Sequence, residues 1–284
     1  TEFAGYTDFE CDAKVVAIVN SKGELCDMLG ADENGTVVLD KTPFYALSGG
    51  QVGDSGVIKS GDNAFIVADT TKNAEGIFLH SGNVARGIIS VGDSVNASIN
   101  AERRKSIMRN HTAAHLLQAA LREVLGTHVE QAGQLVNEVE VRFDFTHFNP
   151  LSTEEIKKVE FLVNNFILNA VPVTMTEMPI EEAKKLGAMM LFGEKYGDIV
   201  RVVRAGDFST EFCGGTHVSN SGQIGLFKIV SESSVAAGVR RITAVTGAGL
   251  LAYLDVNEAL VKGVSAALKT GENEVQERVN ACLL

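Results

Sequence analysis

The stretch from Ala101 to Leu125 constrains the fold most, because it contains neither glycine nor proline and is rich in residues that favour helices. Gly126 follows it directly, as expected at the end of a helix. We therefore predict one long helix here. The residues before it follow a different pattern, so we place a domain boundary near residue 97.

The region before this boundary has the pattern of a small β domain. Short apolar runs recur in it, at Val15–Val19, Val37–Leu39, Phe65–Val67 and Ile77–Leu79. Glycine, asparagine and aspartate separate these runs at short intervals. Short strands with regular turn signals are typical of a small β-barrel or sandwich.

Strands and helices are mixed after the long helix. A strand pair is predicted around residues 139–145, and Ser152 with Glu155 forms a capping box that opens a helix ending near Ala170, before Pro172. Further strands are predicted at 199–203, 225–231 and 239–246, and a helical segment begins at Leu250. This mixture without regular alternation indicates an α+β fold. We therefore predict a β domain at 1–96, an α+β domain at 97–249 and a helical segment at 250–284.

The charge and the cysteines limit the class of protein. The net charge of −11 argues against a surface that grips nucleic acid everywhere, although local basic runs occur. These runs are Arg103, Arg104, Lys105 and Arg109, and then Arg240 and Arg241. No apolar run approaches the ~20 residues that span a bilayer. The four cysteines form no CxxC pair, so a reducing, cytoplasmic setting is expected. The start lacks an initiator Met and a signal peptide, which we interpret as an excised fragment.

Two pairs of side chains have the spacing of metal ligands. His111 and His115 lie one helical turn apart on one face, and Cys213 and His217 flank two glycines that permit a tight turn. Each pair alone is also compatible with ordinary surface or core residues. Together they offer three nitrogens and one sulfur, a set that suits tetrahedral Zn²⁺. The two pairs are far apart in sequence, so such a site suits a cleft at least as well as a structural clip.

Other motifs narrow the chemistry. In metalloproteases with the HExxH motif a glutamate follows the first histidine, and this chain has Thr112 there, which argues against a zinc peptidase. The glycine-rich stretch from Ser48 to Gly56 is either a series of tight turns or a backbone wall close to a ligand. We place Gly49, Gly50 and Gln51 of this stretch, with Arg240 and Arg241, as candidate substrate-binding residues.

Six segments in order carry a resemblance to a known family. They are Thr42–Gln51, His111–His115, Arg142–Phe145, Gly187–Tyr196, Cys213–His217 and Gly238–Ile242. Together they resemble the editing region of bacterial alanyl-tRNA synthetases, which is related to free-standing AlaX-type proteins and to the editing domain of threonyl-tRNA synthetases. The resemblance covers about residues 1–250.

This resemblance implies a small N-terminal β-barrel, then a two-layer α/β sandwich with a zinc site, and a helical segment at the end. It implies that His111, His115, Cys213 and His217 bind Zn²⁺ and that Gln131 lines the editing pocket, where we give it the catalytic position.

The implied activity is hydrolysis of the ester in tRNA(Ala) that carries serine or glycine. Two alternatives stay open, a free-standing AlaX-type protein and a non-catalytic, zinc-stabilised tRNA-binding module. Two positions depart from the family pattern, Leu47 in place of glutamate and Ala114 in place of threonine.

Four protein ligands would close a zinc site, so either one ligand yields or the metal only positions the substrate. The implied partners are the acceptor end of tRNA(Ala) and, in cis, the remaining synthetase domains, which alone would use ATP. The run from Arg103 to Arg109 and the pair Arg240 and Arg241 are candidate contacts with the tRNA phosphates. Given the net charge, we expect weak and salt-sensitive tRNA binding by this chain alone.

Overall fold

The N-terminal strands close into a barrel, in a computed structural model that describes residues 1–189 and 197–283. The strands before the first helix are β1 (Glu2–Phe3), β2 (Glu10–Asn20), β3 (Leu25–Cys26), β4 (Met28–Leu29), β5 (Asn34–Leu39), β6 (Lys41–Thr42), β7 (Gly56–Ser60), β8 (Asn63–Lys72), β9 (Phe78–Arg86), β10 (Ile89–Ser90) and β11 (Ser94–Ile99). The barrel runs in the order β11-β7-β8-β9-β5-β2, and antiparallel pairing of β11 with β2 closes it. The predicted barrel is thus confirmed.

Alternation along the strands fills the barrel with apolar side chains. In β8, for example, Phe65 and Val67 are buried whereas Ile66 between them is exposed. The imidazole of His80 in β9 is also fully buried in this barrel. Its Nδ1 donates to the Val37 carbonyl at 2.8 Å, and its Nε2 accepts from the Thr42 hydroxyl at 2.7 Å. The neutral ring is therefore fully hydrogen-bonded.

His80 makes the barrel sensitive to acid. Burial lowers the pKa of His80 to about 4, against a smaller opposing effect of its bond to Val37. As the pH falls through about 6.5, the unfolded chain takes up a proton that the folded chain refuses until about pH 4. We expect the free energy of unfolding to fall across this window by about 3 kcal/mol from this residue alone, since one pKa unit corresponds to about 1.4 kcal/mol.

Urea unfolding at pH 7 and pH 4.5, with a chelator present, measures this effect. His80→Gln is the matched control, because an amide can make both hydrogen bonds and does not titrate here. The variant should lose clearly less stability between the two pH values than the wild type. An equal loss in both proteins would show that His80 does not contribute to the acid sensitivity.

An α+β region follows the barrel. Its strands are β12 (Gln131–Val136), β13 (Val141–Thr146), β14 (Val173–Pro179), β15 (Ile199–Ala205), β16 (Ser209–Phe212), β17 (Phe227–Ala236) and β18 (Val239–Thr246). They form an antiparallel four-stranded sheet, β12-β13-β18-β17, and a three-stranded sheet, β14-β15-β16. The helices are α1 (Ala101–Leu125), α2 (Thr153–Leu168), α3 (Ile180–Lys185), α4 (Gly247–Leu268) and α5 (Val275–Leu283), with short 3-10 turns at Ser221–Ile224 and Glu272–Glu274.

Helix α1 is the central element of this α+β region. The Asn100 side chain accepts from the Arg103 amide at its start, and Gly126 ends it with a positive φ of 116°. Its apolar face, including Leu116 and Leu117, shares one core with α2, β13, β17 and β18. Burial on one helix face and one sheet face explains why two layers form. The predicted α+β class is confirmed.

The remaining helices follow the predicted signals. The capping box of α2 is formed, since the Glu155 amide donates to Ser152 Oγ and the Ser152 amide donates to Glu155 Oε2. Helix α4 begins at Gly247, three residues earlier than predicted, and is largely exposed. Among the described residues, no helix is both long and apolar enough to cross a membrane.

Of the described strands that follow α1, β14 and β16 lie in segments where no strand was predicted. Strand β16 has only four residues, and it leads directly into Cys213. The domain boundaries at residues 97 and 250 stay predictions, although the last barrel strand ends at Ile99 and α1 begins two residues later. Of the motif at 187–196, residues 190–196 lie outside the part of the chain that the structure describes.

Candidate metal centre

Four side chains from two distant segments converge on one point. His111 and His115 project from one face of α1, and Cys213 and His217 come from the loop after β16. The candidate ligand atoms of these four residues lie within 4.8 Å of one another. The Cys213 Sγ atom is 3.5 Å from His111 Nε2 and 3.3 Å from His217 Nε2.

Gln51 determines which nitrogen of His111 faces the cluster. Gln51 Oε1 accepts from the backbone amide of Thr216 at 2.9 Å, so this atom must be the oxygen of the amide. The same oxygen lies 2.7 Å from His111 Nδ1, which therefore carries the proton and donates. The Nε2 lone pair of His111 is consequently free and points at Cys213.

Thr112 determines in a similar way which nitrogen of His217 faces the cluster. The Thr112 hydroxyl donates to the Met108 carbonyl at 2.9 Å, as expected for a threonine inside a helix. Its oxygen then accepts from His217 Nδ1 at 3.1 Å and from the Val218 amide at 3.2 Å. Thus Thr112, which occupies the position of the glutamate in the HExxH motif, orients a metal ligand.

His115 faces a carboxyl group. Its Nδ1 lies 3.5 Å from Glu211 Oε2, in a geometry too poor for a hydrogen bond. Burial raises the pKa of Glu211 to about 8 and lowers the pKa of His115 to about 3, the latter assisted by the charge of Arg201. The pKa of His111 is lowered well below its usual range, again mainly by burial.

These observations fit a divalent metal ion. The three imidazoles are neutral, as metal binding requires, and two of them turn Nε2 toward one thiol. Tetrahedral Zn²⁺ with bonds of about 2.0 Å to nitrogen and 2.3 Å to sulfur places its ligand atoms on the order of 3.5 Å apart. The separations of 3.5 and 3.3 Å between Cys213 Sγ and the two imidazole nitrogens match that value. The cluster could therefore hold a metal ion with only small movements.

The loop that carries Cys213 and His217 is packed too tightly for any side chain at Gly215. A Cβ atom there would lie 2.0 Å from His111 Cε1. Arg201 holds the loop from the other side, donating from Nη1 to the carbonyls of Cys213 and Gly215 at 2.9 and 2.7 Å. Glycine is thus required for the approach of the loop to α1.

A cavity of about 260 Å³ opens beside the cluster. His111, His115 and Cys213 line it, whereas His217 does not, so the cluster is reached from one side. Gln131 also lines this cavity. The other lining residues are Tyr45, Ser48, Gly49, Gln134, Gly197, Ile199, Val200, Arg201, Glu211, Phe212, Gly214 and Gly215.

The predicted substrate-binding residues are distributed unevenly around this cavity. Gly49 lines it, as does Gln131, which stays our prediction for the catalytic position. Gly50 has a φ of +81°, and a Cβ there would meet the backbone of Gln134, so it brings the barrel loop against β12. Gln51 is fully buried, and this placement differs from the predicted substrate contact because its side chain faces His111.

The basic runs are largely committed to internal partners. Arg241 makes a two-pronged ion pair with Asp144 at 2.6 and 2.7 Å, and Arg240 pairs with Glu232. Neither arginine lines the cavity, and their contact with phosphate stays a prediction. Arg104, from the other run, is 1% exposed and pairs with Asp54. Our expectation of a phosphate contact there is wrong, because its guanidinium is sealed between α1 and the barrel.

Several residues of the centre were not predicted from sequence. They are Thr112, Arg201, Glu211 and Gln134, together with the orienting role of Gln51. Thr112 is the one with a sequence signal, since it is adjacent to His111 on the helix. The others come from strands and loops that meet only in the fold.

Replacing Gln51 tests how the cluster is organised. Gln51→Leu leaves His111 Nδ1 and the Thr216 amide without an acceptor, so we expect the affinity for Zn²⁺ to fall about 10- to 100-fold. Gln51→Glu keeps an acceptor oxygen and should lose clearly less. Competition with a chromogenic chelator measures both. Equal affinity of the leucine variant and the wild type would contradict the assigned role.

Known proteins match this chain in two ways. Residues 1–103 match the family described as tRNA synthetases class II (A), and residues 200–243 match the threonyl and alanyl tRNA synthetase second additional domain. Alanine–tRNA ligases are similar over essentially the whole chain. The one from Acetivibrio thermocellus is 49% identical over 100% of this chain, that from Pseudomonas fluorescens 50% over 100%, and that from Neisseria meningitidis 51% over 99%.

In each of these relatives the match covers 32% of the relative's own length, so this chain spans about a third of the proteins that it resembles. His111 and His115 lie between the two matched ranges, whereas Cys213 and His217 lie within the second range. The chain belongs to the alanyl-tRNA synthetase family.

Proposed function

We propose that this chain carries the editing activity of an alanyl-tRNA synthetase and hydrolyses the ester of tRNA(Ala) charged with serine or glycine. The observation that supports this most is the cluster of three histidines and one cysteine at the wall of a 260 Å³ cavity. The proposal places the chain in the cytoplasm, with the aminoacylation and C-terminal domains in cis.

The need for such a site follows from size discrimination. A pocket for alanine cannot strongly reject glycine, which is smaller, and an apolar pocket rejects an added hydroxyl only weakly. A second site that removes the wrong amino acid by hydrolysis corrects both errors. A serine hydroxyl offers a contact that alanine lacks, which gives selectivity by differential binding.

The metal that fits this donor set best is Zn²⁺, held by His111, His115, Cys213 and His217. When bound, it supplies a Lewis acid that can hold an amino group or a hydroxyl beside the ester. Gln51 and Thr112 keep two of the imidazoles in the required tautomer. His217 does not line the cavity, so in this proposal the substrate approaches the other three ligands.

Gln131 is the residue that we assign to direct contact with the substrate. It lies on the cavity wall at the start of β12, next to a bulge between Gln131 and Gly133. Its amide can donate to an ester oxygen and accept from a ribose hydroxyl. Arg201, the cation on this wall, holds the Cys213 loop in place.

A deacylation assay tests the proposal. Ser-tRNA(Ala) and Ala-tRNA(Ala) are incubated with the chain, with and without a chelator, and with zinc added back. We expect hydrolysis of the serine ester, sparing of the alanine ester, loss with the chelator and recovery with zinc. An intact serine ester in every tube would instead favour a non-catalytic tRNA-binding module.

A further inference from the structure

A second cavity adjoins the first and has a different character. It has a volume of about 150 Å³ and is walled mainly by aromatic rings of the barrel region, Phe3, Tyr6, Tyr45 and Phe78. Tyr45, Ser48 and Gly214 line both cavities, so the two share a wall. A closed cavity of similar volume holds one benzene ring. The second cavity thus has the dimensions of one aromatic base rather than of a whole nucleotide.

The rings around this cavity hold one another in place. Phe3 stacks on Phe78 with centroids 5.4 Å apart and an interplanar angle of 10°, and its ring meets that of Tyr6 edge to face at 4.9 Å. The Tyr6 hydroxyl donates to the Gly214 carbonyl at 2.7 Å, and Arg201 covers its ring at 4.1 Å. The aromatic wall is therefore fastened to the loop that carries Cys213.

Lys72 adds a positive charge at this cavity. Its Nζ lies 5.7 Å from the centroid of the Phe78 ring, and it forms no ion pair with any residue that the structure describes. The chain as a whole carries a net charge of −11. An exposed lysine without a carboxylate partner, next to aromatic rings, is the combination with which proteins bind the bases and phosphates of single-stranded RNA.

We propose that this aromatic cavity binds the 3′-terminal nucleobase of the aminoacylated RNA and that Lys72 contacts the adjoining phosphate. The inference rests on the proposed function, because it assumes that an aminoacyl ester lies at the metal centre. The ribose that bears the ester then lies at the shared wall, beside Ser48 and Gly214. The barrel thus contributes half of the substrate site.

Binding measurements test this site without requiring hydrolysis. The probe is a hairpin RNA with a single-stranded CCA end, carrying serine on its terminal ribose through a stable amide, and a second version lacks only the terminal base. With the zinc-loaded chain, we expect loss of the base to weaken binding about 5- to 150-fold, the factor that corresponds to 1–3 kcal/mol of stacking.

Variants assign that effect to the rings. In Tyr6→Leu and Phe3→Leu, removal of the base should change the Kd by less than about 3-fold, because the stacking surface is already lost. Tyr6→Phe keeps the ring and loses only the bond to Gly214, so it should retain the wild-type dependence on the base. Lys72→Gln should keep that dependence but lower the salt slope of log Kd by about 1.

A fluorescent probe covers the case in which the leucine variants fail to fold. With 2-aminopurine as the terminal base, binding to the wild type should change its fluorescence as the base enters the ring cluster. If wild-type affinity is the same with and without the base, the inference is wrong, even if Ser-tRNA(Ala) is hydrolysed. If binding depends on the base but no ester is cleaved, the nucleobase site stands and the proposed editing function falls.

Discussion

Replacing Cys213 with alanine is expected to remove the bound metal and, with it, hydrolysis of Ser-tRNA(Ala). Cys213 supplies the one sulfur in the cluster, and two imidazole nitrogens lie 3.3 and 3.5 Å from its Sγ atom. Loss of a direct ligand should cost more than the ~10–100-fold in metal affinity that loss of an orienting partner costs. We expect at least a hundredfold slower deacylation, measured alongside the zinc content per chain.

A matched control separates this effect from a general effect of losing a thiol. Cys282 lies exposed in α5, far along the chain from the cluster, so Cys282→Ala should keep full zinc content and full activity. Circular dichroism establishes that both variants are folded. Wild-type zinc content and activity in Cys213→Ala would show that this residue does not bind the metal.

Replacing Arg104 with methionine is expected to destabilise the whole chain by about 3–5 kcal/mol. Arg104 is 1% exposed and forms an ion pair with Asp54 in the barrel loop. It also donates to the carbonyls of Gly5 and Pro43 at 2.6 and 3.1 Å. The variant leaves a carboxylate buried without its partner, and that carboxylate dominates the cost. Urea unfolding followed by circular dichroism measures it.

Two further variants test this explanation. Arg104→Met with Asp54→Leu removes both charges and should recover part of the lost stability, because no buried charge is left alone. Lys105→Met removes an exposed pair with Glu102, which solvent screens, so it should cost far less stability than Arg104→Met. If Arg104→Met costs no more than Lys105→Met, the buried pair does not join the barrel to the helix as described.

The sequence alone predicts the elements whose signals are local. The spacing of four between His111 and His115 puts both on one face of α1, and the capping box of Ser152 and Glu155 starts α2 where the structure starts it. The regular turn signals before residue 97 predict a small barrel or sandwich, and the family resemblance selects the barrel. In each case, short-range hydrogen bonding or periodic burial determines the outcome, so neighbouring residues carry the information.

The parts that sequence reasoning misses depend on the meeting of distant segments. Gln51 looks like part of a glycine-rich turn, yet the pairing of its loop with β12 brings it against His111. Arg104 looks like a surface cation in a basic run, yet the barrel closes over it. Glu211 lies in a four-residue strand whose apolar pattern is too short to recognise. Such placements follow only from the packing of the barrel against the α+β region.

The structure shows where the two residues that depart from the family pattern lie. Ala114 is buried in the hydrophobic core shared by α1 and the sheet, and it is not among the residues that line the cavity. Leu47 is 54% exposed, and its backbone amide donates to the Thr70 carbonyl in the barrel. Neither side chain takes part in orienting the four candidate ligands. The arrangement of the metal centre in this chain therefore does not depend on either side chain.

At the metal centre, two distant pairs of side chains converge closely enough to bind one metal ion together. X-ray absorption at the zinc edge, on the chain loaded with one equivalent of Zn²⁺, tests this most directly. We expect one tightly held zinc per chain, with one sulfur at about 2.3 Å and three nitrogens at about 2.0 Å. A zinc with no sulfur neighbour, or a chain that does not retain zinc after dialysis, would contradict it.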